Sequence, residues 1–279
     1  MTQANKTILI TGATNGIGQA AAAQLTALGH HIVIVGRNRE KCIATTDSIC
    51  RQTGGSVSWL MADLSSLAQV RRLAEEFRGR FGRLDVLINN AGAVYSQRVE
   101  TTQGMEMGWS VNYLQAFLLT ALLLDLLKAS APARIINLSS IYHWAARLDP
   151  DHLQERGLYI GWNVYARCKL ASLYFTYELA RRLQGSGVTA NAIHPGLVRT
   201  GMGKTSGWLL RSAFRVVDQF AIPPDQGAAG ITNLAVNPAL ETVSGQYFSG
   251  LKPVRSSPAS YDRELARRLW ETSVQITRA

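Results

Sequence analysis

Short β-branched runs alternate with longer amphipathic stretches along most of this chain, and the alternation restricts the folds open to it. The runs typical of strands are TILIT (7–11), HIVIV (31–35), SVSWLM (56–61), LDVLI (84–88), RIINLS (134–139) and VTANAI (188–193). Between them, periodic segments predict helices at 16–28, 39–53, 66–81, 104–129 and 163–185. Because continuous apolar runs suit strands buried on both faces, the pattern predicts an α/β fold. We expect a doubly wound, mostly parallel sheet with helices on both faces and right-handed crossovers.

The length of 279 residues fits either two domains or one large α/β unit. No Pro/Ser-rich linker divides the sequence. Beyond residue 193 the alternation loosens but continues, with a helix predicted around 225–236, a last strand near 246–248 and a tail helix around 260–272. We therefore expect residues 1–279 to form a single domain.

The formal net charge is +10, although charged residues make up only 17% of the chain. Typical globular domains contain roughly 25% charged residues. Hydrophobic residues make up 47%, which excludes disordered and collagen-like classes and allows a full core. The positive charge raises nucleic acid as a partner, but the chain lacks a basic run with interleaved aromatic residues. We expect no nucleic-acid partner.

Three cysteines, Cys42, Cys50 and Cys168, form no C-x-x-C pair and have no histidine at metal-ligand spacing. This argues against disulfides and structural zinc, and it predicts a reducing, cytoplasmic location. The polar residues 1–6 do not resemble a signal peptide. The longest apolar run, 116–127, has 12 residues and includes an aspartate. Because this run is too short to span a bilayer, we expect a buried helix and no transmembrane segment.

A glycine-rich turn joins the first predicted strand to the first predicted helix. Its sequence, TGATNGIG at 11–18, has the spacing G-x-x-x-G-x-G. Glycine permits positive φ and close backbone approach, and the N–H groups of a helix N-terminus bind phosphate. Placement after the first strand of a βαβ unit favours a dinucleotide pyrophosphate site over a tight turn that binds no ligand. The predicted contact residues are Gly12, Thr14, Asn15, Gly16, Ile17 and Gly18.

The residues after the second strand select between the two nicotinamide dinucleotides. An acidic residue there binds the ribose 2′-hydroxyl of NAD, whereas a basic residue meets the 2′-phosphate of NADP. The chain has Gly-Arg-Asn-Arg at 36–39, and the planar guanidinium of Arg37 suits a phosphate. We expect NADP(H) to be preferred over NAD(H). The alternative is that Arg37 and Arg39 are solvated loop cations.

Polar residues also follow the third and fourth predicted strands. Asp63, followed by Leu64, can accept a hydrogen bond from the adenine amino group. Asp63 can also be the N-cap of a helix before Ser65, and the two roles are compatible. Asn-Asn-Ala-Gly at 89–92 combines carboxamides with small residues that can line a ligand while they fix neighbouring backbone, or can form only a turn. The predicted cofactor contacts here are Asp63, Leu64, Asn90, Ala91 and Gly92.

A tyrosine and a lysine stand four residues apart at the start of a predicted helix. Tyr165 and Lys169 therefore share one helix face, 25 residues beyond Ser140 at the end of the fifth strand. A nearby ammonium favours the phenolate and lowers the pKa of a tyrosine, which suits general acid/base catalysis. The serine hydroxyl can hold a carbonyl or alcohol oxygen. The alternative places Tyr165 and Lys169 on the surface of an ordinary helix.

Seven motifs in order resemble the short-chain dehydrogenase/reductases over essentially the whole chain. They are TGATNGIG (11–18), DL (63–64), NNAG (89–92), SVNYL (110–114), SS (139–140), YARCK (165–169) and HPG (194–196). The resemblance implies a Rossmann-type fold and a catalytic tetrad of Asn112, Ser140, Tyr165 and Lys169, with Ser139 as the substitute for Ser140. It also implies cofactor contacts from Pro195, Gly196, Val198 and Thr200, in addition to Tyr165 and Lys169.

Within the family, the chain is most similar to the retinol dehydrogenase-like branch. The long interval between Ser140 and Tyr165, the segment at 169–188 and the tail at 256–273 carry this similarity. The resemblance implies that Ser140 and Tyr165 bind the substrate oxygen, Tyr165 transfers a proton, Lys169 keeps the tyrosine acidic, and Asn112 holds a water. The alternative to catalysis is an NADPH-binding sensor or scaffold without turnover.

The segment 201–222 is predicted to form an apolar lid over the cleft, which would select an apolar carbonyl or alcohol substrate. The alternative is a helix that only packs on the sheet. The helices at 104–129 and 163–185 offer apolar faces through which family members pair. A homodimer or homotetramer through Leu118, Leu122, Leu173 and Phe175 is therefore one expectation, and burial of these side chains under the sheet is the other.

Overall fold

The computed structural model describes residues 5–150, 153–154, 158–198 and 221–279. The strands are β1 (Thr7–Thr11), β2 (His31–Gly36), β3 (Val57–Met61), β4 (Val86–Asn89), β5 (Ala133–Leu138), β6 (Val188–His194), β7 (Tyr247–Ser249) and β8 (Lys252–Val254). The long helices are α1 (Gly16–Ala27), α2 (Arg39–Thr53), α3 (Leu67–Arg80), α4 (Met107–Ala129), α5 (Gly161–Arg182), α6 (Pro224–Val236) and α7 (Arg263–Thr277).

The strands form one sheet in the order β3-β2-β1-β4-β5-β6-β7-β8. Neighbouring strands pair in parallel from β3 to β7, and β8 pairs with β7 in antiparallel. This arrangement confirms the predicted doubly wound sheet. The strand order reverses between β1 and β4, and in such sheets the crevice outside the carboxyl ends at this point binds ligands.

Side chains alternate between two apolar layers, one on each face of the sheet. In β1, Ile8 and Ile10 join the layer packed under α1 and α6, whereas Leu9 joins the layer under α3, α4 and α5. All three side chains are fully buried. The continuous apolar runs in the sequence therefore reflect burial on both faces.

The element boundaries differ from the sequence expectation where a polar residue caps a helix. Helix α4 begins at Met107 rather than near 104 because the Glu106 carboxylate accepts hydrogen bonds from the next backbone amides. Helix α7 begins after Asp262, whose side chain accepts a hydrogen bond from Leu265 N at 3.0 Å, and it extends to Thr277. Strand β8 was not expected from the sequence; it has three residues and forms a hairpin with β7 through Gly250, which has a φ of +57°.

Among the described residues, one helix, Met107–Ala129, is long and apolar enough by composition to cross a membrane. It has 23 residues, so the shortness of the 12-residue run does not by itself exclude a membrane-spanning helix. In the fold, 67% of its most apolar window is buried, with Phe117 and Leu118 in the core. This burial is typical of a core helix, and the absence of a transmembrane segment stays a prediction.

Helix α7 covers the outer surface of α4 and α5. The Trp270 ring contacts Phe117 and Phe175, with centroids 5.0 and 5.9 Å apart, and the Arg182 guanidinium lies 4.3 Å from the Trp270 centroid. Leu118 and Leu173 are fully buried within the chain, Phe175 is also buried, and Leu122 is partly buried. Leu118, Leu173 and Phe175 are therefore buried within the chain rather than available for subunit contacts, and Phe175 packs under α7 instead of under the sheet.

A ladder of polar side chains crosses the interior between the sheet and two helices. Asn89 donates to Asn137 Oδ1 at 2.8 Å and to Thr120 Oγ1 at 3.0 Å, and Asn137 donates to Thr176 Oγ1 at 2.9 Å. All four side chains are buried. The ladder links β4 and β5 to α4 and α5.

Candidate active site

The glycine turn after β1 has a backbone conformation and close contacts that only glycine accommodates. Gly12 and Gly16 have φ of +66° and +53°. A Cβ on Gly12 would lie 2.8 Å from the Ala91 Cα, and a Cβ on Gly18 would lie 2.7 Å from the Gly12 carbonyl oxygen. Within the described part of the chain, no side chain caps the N-terminus of α1, and its first turn contains no acidic residue. The backbone N–H groups in the first turn of α1, which no capping side chain accepts from, and the positive end of the helix dipole can bind an anionic group.

Asn90 holds this turn in place from the end of β4. Its side-chain amide donates to Thr11 O at 2.8 Å and to Gly12 O at 3.0 Å. In return, Thr11 Oγ1 accepts hydrogen bonds from the backbone N–H groups of Asn90 and Ala91 at 3.0 and 3.1 Å. Asn90 therefore fixes neighbouring backbone, one of the two roles expected for it.

The residues expected at the adenosine end of a dinucleotide lie at the carboxyl ends of β2 and β3. The Arg37 side chain is exposed, directly after Gly36. A Cβ at Gly36 would lie 2.5 Å from the Thr14 methyl group, so a larger residue does not fit there. The Arg39 guanidinium lies 5.8 Å from the centroid of the Trp59 ring. Arg39 is therefore engaged on the protein surface, whereas Arg37 projects from the end of β2.

Asp63 does not cap helix α3, contrary to one sequence expectation. Its carboxylate accepts hydrogen bonds from the backbone and hydroxyl of Ser65 at 3.0 and 2.8 Å. The N-cap is Ser66, which accepts from Gln69 N. Asp63 therefore shapes the preceding turn and is half-buried, while the side chain of Leu64 lies in the core.

Tyr165, Lys169 and Ser140 meet at the carboxyl end of β5. Tyr165 and Lys169 lie one turn apart on α5, and all three side chains are buried. The Ser140 hydroxyl lies close enough to Tyr165 to lower the pKa of its phenol. Ser139 instead donates to the carbonyl of Lys169 at 2.9 Å. The geometry thus brings Ser140, rather than Ser139, to the tyrosine.

The electrostatics of this cluster differ in one respect from the expectation. Burial raises the pKa of Tyr165, and the nearby Ser140 hydroxyl only partly opposes this effect. The Lys169 ammonium donates to Leu138 O at 2.8 Å and lies 5.4 Å from the centre of the tyrosine ring. Burial lowers the pKa of Lys169 to about 8. The expected lowering of the Tyr165 pKa is therefore not found, because the loss of solvation is the largest effect on the phenol.

Asn112 lies in a five-residue π-helical turn, Ser110–Leu114, inside α4. Such turns are frequent at functional sites. The Asn112 side chain exchanges two hydrogen bonds with the Ala93 backbone, both 2.9 Å, and donates to Gly108 O at 2.8 Å. A Cβ on Gly92 would lie 2.9 Å from Asn112 Oδ1 and 3.5 Å from Lys169 Nζ. Asn112 thus connects the loop after β4 to the site of Lys169.

The His-Pro-Gly segment begins with His194, the last residue of β6. Pro195 is buried, and Gly196 has a φ of +94°. Val198 is half-buried and forms an isolated bridge with Ile222. Thr200 and residues 201–220 of the predicted lid lie outside the described residues.

Two features near the site were not identified from the sequence. The rings of Tyr142 and Trp162 both lie edge-on to Tyr165, at 6.1 and 5.8 Å between centroids. His143 is fully buried behind Ser140 and hydrogen-bonds its carbonyl. The sequence signal for the His143 contact was the three-residue spacing from Ser140, because residues three apart can be hydrogen-bonded in a 3₁₀ turn.

Comparison with known proteins gives matches along most of the chain. A sequence profile described as short chain dehydrogenase matches residues 6–207. Human retinol dehydrogenase 13 is 43% identical over 279 residues, which covers 97% of this chain and 84% of the relative. A crystal structure of an uncharacterised protein from Mycobacterium paratuberculosis is 31% identical, with a TM-score of 0.80 and coverage of 98% of this chain and 94% of that one. The RhlG/NADP active-site complex of Pseudomonas aeruginosa is 27% identical, with a TM-score of 0.72 and coverage of 89% and 96%.

Proposed function

Because the chain belongs to the short-chain dehydrogenase family, we propose that it interconverts an alcohol and a carbonyl by hydride transfer with NADP(H). The observation that carries the proposal is the buried cluster of Ser140, Tyr165 and Lys169 beside the glycine turn. Gly92 and Ala91 connect the two parts, because a Cβ on Gly92 would lie 3.5 Å from Lys169 Nζ and one on Gly12 would lie 3.1 Å from the Ala91 Cβ.

The proposed chemistry divides between a cofactor and the side chains of this chain. When bound, a nicotinamide dinucleotide supplies or accepts the hydride. In the reduction direction, the substrate carbonyl oxygen accepts hydrogen bonds from the hydroxyls of Ser140 and Tyr165. The Tyr165 hydroxyl then gives its proton to the alkoxide that forms.

Lys169 has an electrostatic role in this proposal. A buried tyrosinate is unfavourable without a nearby positive charge, and burial already raises the pKa of Tyr165. With its pKa at about 8, Lys169 is largely protonated at neutral pH and stabilises the phenolate that proton transfer leaves. The hydrogen bond to Leu138 O holds the ammonium on this side of α5.

Asn112 acts in the proposal through the loop after β4. Its carboxamide makes three hydrogen bonds with backbone groups of Ala93 and Gly108. These bonds keep Gly92 next to Lys169, where a larger residue would overlap Asn112 Oδ1. We assign Asn112 to positioning, and the water that the family resemblance places on it stays a prediction.

The preference for NADP(H) rests on Arg37. Its exposed guanidinium stands at the end of β2, where a 2′-phosphate would lie, and no carboxylate occupies residues 36–39. The Pseudomonas aeruginosa structure is a complex with NADP, which supports the same preference here. Arginine offers a phosphate two parallel hydrogen bonds.

We propose an apolar alcohol or carbonyl as the substrate. The relative with 43% identity is a retinol dehydrogenase, and retinol is an apolar alcohol. In this chain, the 3₁₀ turn after Ser140 exposes Ile141, Tyr142 and Trp144 by 52%, 38% and 54%. Together with Trp162, these side chains give the approach to Tyr165 an apolar, aromatic character.

The three cysteines support our proposal of a reducing, cytoplasmic compartment. All are free; Cys42 and Cys168 are buried, and Cys50 is half-buried. Stable extracellular domains instead pair their cysteines.

The decisive experiment is the Tyr165→Phe variant, assayed by loss of NADPH absorbance with a panel of apolar and charged carbonyls. We expect the wild type to consume NADPH with apolar aldehydes or ketones, and the variant to lose turnover while its NADPH affinity stays within about twofold, because the phenol hydroxyl is the proton donor. Near-normal turnover in Tyr165→Phe would remove the proposed mechanism. Binding of NADPH without turnover on any carbonyl would favour the sensor or scaffold alternative.

A further inference from the structure

We infer that His143 is a positioning residue that fixes the catalytic Ser140 by linking it to the C-terminal tail. The inference rests on the proposed function, because it assigns Ser140 to the reaction. His143 lies in the 3₁₀ turn Ile141–Ala145 directly after Ser140 and is 0% exposed. A fully buried imidazole next to a reacting residue requires partners for both ring nitrogens.

Both nitrogens of His143 have backbone partners on opposite sides. Nδ1 lies 2.6 Å from Ser140 O, and Nε2 lies 3.0 Å from Ser257 N. A carbonyl can only accept and a backbone N–H can only donate. The ring must therefore be neutral, with the proton on Nδ1, and burial lowers the pKa of His143 in agreement with this state. One tautomer thus satisfies both contacts at once.

The tail at Ser257 is itself fixed to helix α5, which carries Tyr165. The Tyr177 hydroxyl lies 2.6 Å from Ser256 Oγ, and the Tyr177 ring stacks on Tyr261 with an interplanar angle of 7°. Ser260 Oγ donates to Ser257 O at 2.6 Å. A closed chain of contacts therefore runs from Ser140 through His143 and the tail to the helix of Tyr165.

This chain of contacts determines where Ser140 stands relative to Tyr165. Without the imidazole, the Ser140 carbonyl would keep only the 3₁₀ hydrogen bond from His143 N, which is 3.2 Å long. The serine would then move with a surface turn whose neighbouring side chains, Tyr142 and Trp144, are exposed. Displacement of a reacting group by about 1 Å lowers rates on the order of a hundredfold. His143 prevents this displacement without contacting the substrate.

Two isosteric substitutions separate the two contacts. The amide of His143→Asn occupies the position of Nδ1 and can donate to Ser140 O, whereas the amide of His143→Gln reaches the position of Nε2 and can accept from Ser257 N. We expect His143→Asn to keep kcat within about threefold and His143→Gln to lower kcat about tenfold or more, with the KM for NADPH unchanged in both. Thermal unfolding is measured in parallel, because each variant loses one buried hydrogen bond and should show a similar drop in Tm.

Ser130→Ala is the control at the opposite end of β5 from the site, since it removes two hydrogen bonds, one accepted from Leu84 N at 3.0 Å and one donated to Leu126 O at 2.7 Å, and it should lower Tm without changing kcat. Equal losses of kcat in the Asn and Gln variants, or wild-type kcat in the Gln variant, would overturn the positioning role. Ser140→Ala distinguishes the two levels of the argument. If Ser140→Ala is fully active, the proposed function fails; if it is inactive while His143→Gln is normal, only the role of His143 fails.

Discussion

Replacement of Gly18 by alanine tests whether close packing at the start of α1 holds the glycine turn. A Cβ at this position would overlap the Asn90 side-chain amide and lie 2.7 Å from the Gly12 carbonyl oxygen. The Gly12 carbonyl is backbone and cannot easily move, so the Asn90 side chain must give way. Asn90 would then lose its two hydrogen bonds to Thr11 O and Gly12 O.

The magnitude follows from those two bonds. At about 1 kcal/mol each, their loss costs about 2 kcal/mol. An alanine in a helix recovers about 0.5 to 1 kcal/mol relative to glycine, which leaves a net loss of at least about 1 to 1.5 kcal/mol, because the contact with the Gly12 carbonyl adds strain. For a chain of 279 residues the unfolding entropy is roughly 0.6 kcal/mol/K, so the Tm should fall by at least about 2 °C. NADPH affinity should fall about tenfold or more, because a shifted turn loses a charge-assisted hydrogen bond to phosphate.

Gly79→Ala is the control for this experiment. Gly79 lies in α3, and a Cβ added there would have no described atom within 4 Å outside its own helix, so the same substitution should raise the Tm by about 1 °C through helix propensity alone. Scanning calorimetry measures both Tm values, and NADPH fluorescence titration measures affinity. An unchanged or higher Tm for Gly18→Ala, together with normal NADPH binding, would refute the packing argument. In the Asn90→Ala background, Gly18→Ala should lower the free energy of unfolding by less than it does in the wild type, because the two Asn90 hydrogen bonds are already absent.

Two further predictions concern the cofactor preference and acid stability. Arg37→Ala should raise the KM for NADPH about tenfold and leave the KM for NADH nearly unchanged, because only NADPH carries the 2′-phosphate. Arg39→Ala is the control, since the Arg39 guanidinium lies over the Trp59 ring. Equal effects of Arg37→Ala on both cofactors would contradict the assignment. Burial lowers the pKa of His194 to about 4 from an ordinary value of 6.5, so between these pH values the unfolded chain binds more protons than the folded one. The free energy of unfolding should therefore fall as the pH drops from 6.5 to 4, by up to about 3 kcal/mol from this group. Urea unfolding at several pH values measures the slope, which His194→Asn should reduce; an unaltered slope in that variant would exclude His194 as its source.

The sheet was predictable because its strands carry continuous apolar runs and its turns carry glycines at positions that need them. Gly12 and Gly16, both at positive φ, stand where the spacing placed a turn. Strand β8 was not predictable, because its sequence Lys-Pro-Val has too few residues for any periodicity and is exposed. Its strand conformation comes from pairing with β7, a tertiary contact that local sequence does not encode.

At the candidate site, the residue types were predictable but the energetic balance was not. The Tyr165–Lys169 spacing placed both groups on one helix face, as the structure has them. The direction of the Tyr165 pKa shift depends on how deeply the ring is buried and on where the Lys169 ammonium points, and neither follows from spacing. The role of His143 was not predictable, because its partner Ser257 lies 114 residues away and no local pattern could identify the contact.

The buried ladder from Asn89 through Asn137 to Thr176 has a consequence for how this architecture tolerates change. Asn89 and Asn137 are register partners in adjacent parallel strands, and Thr176 lies seven residues after Lys169 on α5. A one-residue slip of β5 would turn Asn137 toward the opposite apolar layer and break its hydrogen bonds. The ladder therefore fixes the register of β5 and the position of α5 on the sheet. The ladder thus fixes the helix of Tyr165 to the sheet through contacts that do not involve the segment connecting it to Ser140. We therefore expect insertions or deletions between them to leave the position of Tyr165 against the sheet unchanged.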